Sequence, residues 1–421
     1  MKKIFLTQTL ILLSILQSVA QWECPSQLAA NLNQVGKSKL YWGSELTLGG
    51  GHLQNNWIGN GMGIIGLDRS TAKSTFYAEG GIKYWNRYDI SASNDYDNSH
   101  LGLRELYYQY KGIPGSLTLG IQSTRLDDDF LMNERILGTN LKLTEGKWSL
   151  NVVAGSVTKD FARNGTFCNV GYIYDIFPEK ERAILGNTIG QTNMASFSIK
   201  FKPQKLTSKA SKTSDGEFST NEFSEGLGQE AAKKVDKLKI ESLGAIAYHE
   251  FGTWIPQKFL TTGLFAQVEW GKNWMLKPEV LFQAAPENKA IIYSLKIEKV
   301  LAWENSKTSI NFRYLGKTNL DDNAHVLNSF SNIFAGDIIR LDAIDLPFIQ
   351  AGIKHSLPKS KIHFKSQFSS QLNGDSMKEL DFEIGKKVGK NLQINVISGV
   401  LRSNLLSDDA FMGRIEFRYY F

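Results

Sequence analysis

Proline and cysteine are scarce in this chain, with 9 and 2 of them in 421 residues. Scarce proline leaves long stretches whose backbone N–H groups can all enter a β ladder. Two cysteines exclude a small fold built on disulfides. Beyond residues 4–16, no segment approaches the ~20 continuous apolar residues of a membrane-spanning helix. Clustered basic runs are missing, the net charge is only +6, and no nucleic-acid partner is expected. The histidines (His52, His100, His249, His325, His355 and His363) show no metal-ligand spacing. A Gly-x-Ser-x-Gly nucleophile elbow and a glycine-rich phosphate cradle are both absent. The chain is therefore not expected to be an enzyme or to hold a cofactor or metal.

What the chain does have is alternation. Phe411, Gly413, Ile415, Phe417, Tyr419 and Phe421 take every second position at the C-terminus, with Arg414, Glu416 and Arg418 between them. Period-two alternation puts one apolar and one polar face on a β-strand. This ending resembles the closing strand of bacterial outer-membrane β-barrels, whose terminal aromatic is read by the barrel-insertion machinery. The resemblance implies an integral outer-membrane protein, with outer-membrane lipid and that machinery as partners. A charge facing lipid at mid-bilayer costs about 2–4 kcal/mol, so Arg414, Glu416 and Arg418 are expected to face the lumen.

The N-terminus fits export. Lys2 and Lys3 precede an apolar stretch from Ile4 to Leu16, and Ser18 and Ala20 supply small residues before a cleavage site near Gln21. Cys24 follows Gln21, Trp22 and Glu23 rather than the small residues that lipidation requires. The reading is a signal peptide over 1–20, a periplasmic or lumenal segment over 21–37 and a barrel over 38–421.

Strand-like segments run near 38–49, 61–69, 73–86, 100–111, 115–125, 134–143, 147–158, 193–203, 239–251, 259–271, 274–283, 289–301, 306–316, 346–357, 361–371, 378–387, 391–401 and 409–421. Each has the ~9–13 residues with which a tilted strand crosses a bilayer. The fold class is all-β, a transmembrane antiparallel barrel of about 18 strands, with 16 as the alternative because the second and sixth segments alternate poorly. Connections are expected to alternate between short turns on the periplasmic rim and longer outer loops. One periplasmic connection, 204–238, is long, polar and lysine-rich, which suits either a solvated insertion or a contact for a periplasmic or outer-membrane protein partner. Trp42, Trp148, Trp270, Trp274 and Trp303 fall at periplasmic strand ends and Trp85 and Trp254 at outer ends. With Phe421, they are the expected membrane-interface aromatics.

The connection between the fifth and sixth strands carries Arg125, Asp127, Asp128, Asp129, Glu134 and Arg135. With the preceding run from Leu117 to Gln122, it resembles alginate-export-like and related substrate-specific porins of bacterial outer membranes. Opposed charges in a narrow lumen set up a transverse field, so these six residues are the candidates for a pore constriction. Arg104, Arg313, Arg340, Arg402, Arg414 and Arg418 are candidates for a basic wall. Cys24 and Cys168 can form a disulfide only if residues 21–37 thread into the lumen or the loop bearing Cys168 turns inward; two free thiols are the other outcome.

The function expected is a porin-like passive channel for small hydrophilic or anionic solutes. The rival is a non-conducting barrel subunit of a larger outer-membrane assembly, secretion or adhesion complex.

Overall fold

The computed structural model describes residues 40–53, 56–89, 96–126, 130–158, 191–203, 238–252, 258–271, 273–286, 288–321, 347–372, 377–404 and 409–421. The leader, the 21–37 segment, Cys24, Cys168, Asp127, Asp128, Asp129, Trp254, Arg340 and residues 204–237 lie outside them.

Every regular element among the described residues is a β-strand. In chain order these are β1 (Leu40–Leu53), β2 (Asn56–Ser70), β3 (Ser74–Asp89), β4 (Tyr96–Tyr110), β5 (Gly115–Leu126) and β6 (Met132–Glu145). Next come β7 (Trp148–Val157), β8 (Thr192–Phe201), β9 (Leu238–Gly252), β10 (Phe259–Trp270), β11 (Trp274–Ala285) and β12 (Asn288–Trp303). The last are β13 (Ser306–Asn319), β14 (Phe348–Leu357), β15 (Ile362–Gln371), β16 (Lys378–Val388), β17 (Leu392–Arg402) and β18 (Ala410–Tyr420). Each pairs antiparallel with its neighbours in sequence, and β18 returns to β1 from Glu45↔Tyr420 to Leu53↔Met412. The ring is a closed 18-stranded barrel, which leaves no free sheet edge.

All the expected strands form, so the count is 18 and not 16. The second strand begins at Asn56 rather than near 61, because Gly59, Gly61 and Gly63 carry no side chain to display the alternation. Apart from the long β8–β9 connection between Phe201 and Leu238, the turns at the rim where β1 starts and β18 ends are tight. Gly146 and Gly389 adopt φ of 56° and 67°, the left-handed region in which a Cβ is strained. At the far rim the connections are not uniformly long: β1 joins β2 across residues 54–55, and β11 joins β12 across 286–287.

Side chains sort by face. On β18, Phe411, Ile415 and Tyr419 are 59%, 41% and 39% exposed, while Arg414, Glu416 and Arg418 between them are 4%, 3% and 8% exposed. Exposed apolar residues such as Leu264, Val280, Phe382 and Ile384 continue the outer face around the ring. A continuous apolar surface of that extent suits lipid rather than water. Trp42, Trp148, Trp270 and Trp303 expose their rings at the terminal rim. Trp274 lies at the same rim, with Lys299 Nζ 4.3 Å from its ring centre, and Trp85 lies toward the far end of β3. The Phe421 N–H donates to the Ser44 carbonyl at 2.9 Å, tying the end of the chain to the start of the ring.

Candidate functional site in the lumen

Two inner walls differ in charge. The first runs over β18, β1, β3, β4 and β6 and consists of paired ions. Arg418 Nε lies 3.3 Å from Glu45 Oε1, Arg104 Nε 3.4 Å from Glu79 Oε1, and Arg135 Nε 2.8 Å from Glu105 Oε1. Asn395 Nδ2 donates to Glu416 at 2.8 Å, and the Tyr77 hydroxyl to Glu79 at 2.6 Å. Each buried charge in these contacts thus has an opposite charge or a polar donor beside it, which low-polarity surroundings demand. A β-bulge builds part of this wall. The β3–β4 register passes from Glu79↔Glu105 to Gly80↔Leu103, leaving Arg104 as the extra residue. Two successive residues, Arg104 and Glu105, are therefore both buried where strict alternation would send one to the lipid.

The second wall is cationic. Lys277, Lys296 and Arg313 stand directly opposite one another on β11, β12 and β13. Like charges in directly opposed positions destabilise a sheet by about 0.2–1 kcal/mol per pair. Glu298 offsets part of this, at 2.9 Å from Lys296 and 3.3 Å from Lys277. The row borders a cavity of about 250 Å³ whose lining also includes Lys200 from β8, Arg125 from β5 and Glu279 from β11. Its charged lining is thus five cations and one carboxylate.

Arg125 reaches that cavity because the far end of the β5–β6 hairpin leaves the wall. The β4–β5 register stops at Leu106↔Ile121, although β5 continues to Leu126. A wall strand buries one face only. Here Phe130, Leu131, Met132, Glu134, Arg135 and Ile136 are all buried, at 0–3% exposure. This end of the hairpin lies inside the ring.

The charges singled out in the sequence therefore separate. Arg125 lines the cavity, while Glu134 and Arg135 are buried and Arg135 is held by Glu105. Arg313 joins the cationic row; Arg104, Arg414 and Arg418 belong to the opposite wall. Arg402 is exposed near the far rim, 3.7 Å from Asp409. The described arginines among those candidates do not share a single basic wall; Arg340 lies outside the described residues. Sequence reasoning missed Lys200, Lys277 and Lys296, although Lys277 and Glu279 alternate with Leu276, Pro278 and Val280 in the inward phase. Among the described residues no cluster of His, Cys, Asp and Glu is arranged to hold a metal.

No protein-family model matches the chain, and no curated protein sequence does either. Solved structures do match. Pseudomonas aeruginosa OccK7 (OpdD) superposes with a TM-score of 0.52 at 11% identity, covering 91% of this chain and 99% of that one. OccK5 (OpdH) of the same organism gives 0.51 at 12% identity, covering 91% and 98%. Acinetobacter baumannii OccAB1 gives 0.51 at 10% identity, covering 91% and 96%. At such identity the likeness is one of architecture: the chain has the closed 18-stranded fold of the Occ outer-membrane porins.

Proposed function

We propose that this protein is a passive porin-like channel of the bacterial outer membrane for small hydrophilic solutes, anions in particular, exported by a leader removed near Gln21. The observation that carries the reading is the row Lys277, Lys296 and Arg313 facing Arg125 across the lumenal cavity. Three cations side by side with one carboxylate among them carry net positive charge, which attracts an anion passing the row. The paired wall opposite is close to neutral, so the field points across the lumen and draws negative groups to one side. A barrel of this many strands is wide enough to hold an aqueous path. Selectivity then comes from fixed charge and from the narrowing by the β5–β6 hairpin, without any chemical step.

Solute flux into proteoliposomes tests this. A small sugar acid should enter faster than a neutral sugar of equal size, and Lys277→Gln, Lys296→Gln and Arg313→Gln together should abolish the difference. A folded barrel that passes neither solute and co-purifies with other envelope proteins would instead favour the assembly-subunit reading.

A further inference from the structure

The ion pairs of the two inner walls differ in access. On the first wall, the paired side chains of Arg104 with Glu79, Arg135 with Glu105 and Arg418 with Glu45 are at most 10% exposed. The bridge in the cationic row is open to the lumen. Glu298 Oε1 lies 2.9 Å from Lys296 Nζ and its Oε2 3.3 Å from Lys277 Nζ, with the three side chains 35%, 25% and 28% exposed. One carboxylate is thus shared by two ammonium groups, one oxygen to each. An ion pair that water reaches is held weakly, so its partners exchange at little cost.

The position of Glu298 decides what it exchanges with. On β12 it stands two residues from Lys296 on the same face, one step nearer the rim where β18 ends, opposite Met275 and Asn311. Lys277, Lys296 and Arg313 line the cavity, and Glu298 does not. An anion in the cavity and the Glu298 carboxylate therefore meet the same two ammonium groups from different sides. Each ammonium has three donors and can lean toward either partner. We propose that Glu298 is a positioning residue for release: it takes the two lysines back as an anion departs, so the row attracts anions without keeping them. The proposal rests on the channel reading. Conduction needs a site that binds well enough to be entered and loosely enough to be left.

Uptake of gluconate into proteoliposomes over a range of concentrations tests this, because retention shows in the half-saturation concentration and passage in the maximal rate. Glu298→Gln keeps the size of the side chain and removes its charge. It should lower the half-saturation concentration about three- to tenfold, the reach of one unit charge a few ångströms away, and lower the maximal rate as well. Glu298→Asp, which restores the charge, should bring both values back toward wild type. Asn311→Asp adds a carboxylate directly opposite Glu298 and should raise the half-saturation concentration. It also carries the test if Glu298→Gln fails to fold. A Glu298 that merely offsets repulsion in the sheet would give a Gln variant with a half-saturation concentration unchanged or raised. That result, or an unmoved value in Asn311→Asp, would overturn the proposal and leave the channel reading standing. A folded wild-type barrel that admits no gluconate would overturn both.

Discussion

Glu45 and Arg418 come from the first and last strands, and their 3.3 Å contact spans the seam where the ring closes. Both are buried, so removing one takes away the other's opposite charge across the seam where little water reaches. Glu45→Ala should destabilise the folded barrel by about 3–5 kcal/mol, whereas Glu45→Met with Arg418→Met should recover most of the loss. Denaturant titration of the detergent-folded protein measures both, and an unchanged midpoint for Glu45→Ala would show that the pair does not hold the seam. Gly51 guards the same seam. A Cβ there would sit 2.7 Å from the Arg414 Cα and against the Gly413 carbonyl. Gly51→Val should therefore cost about 1–3 kcal/mol in the same titration, since the two backbones must part. Alternation in the sequence gives the inward direction of Arg418 but not its partner. Glu45 lies at the other end of the chain, and only closure of the ring sets their register.

Strands were the most legible elements, because a wall between lipid and lumen imposes period two on any sequence that builds it. Legibility failed where that constraint lapses. Glycines in β2 blank out one face, the bulge at Arg104 shifts phase without a sequence signal, and residues 130–134, beyond the last β6–β7 rung, are buried on both faces where described. The cationic row was hidden for another reason: Lys277, Lys296 and Arg313 become neighbours only through the registers of β11, β12 and β13. That row makes separate predictions for stability and flux. Lys296→Gln relieves repulsion with Lys277 and Arg313 but breaks the 2.9 Å pair with Glu298, so the barrel's stability should change by less than about 1 kcal/mol. The same change should reduce anion flux. Equilibrium unfolding beside flux checks both; a Lys296→Gln barrel destabilised by more than that would mean that the lysine is held for structure.

The whole molecule is a ring with one belt of lipid-facing apolar residues, tryptophans at the rim bearing both strand ends, and a lumen divided by charge. Likeness to the Occ structures at 10–12% identity follows from this, since alternation, tilt and closure constrain residue classes and leave identities free. On the channel proposed for this chain, a few inward side chains would set the choice of solute. The central claim is that those side chains make the lumen attractive to anions. The reversal potential across a planar bilayer under a potassium chloride gradient measures that preference most directly. A wild-type potential displaced toward the chloride equilibrium value, moving toward zero when Lys277, Lys296 and Arg313 are all changed to Gln, is the predicted result. A cation-selective wild-type channel, or a potential that the triple change leaves where it was, would contradict it.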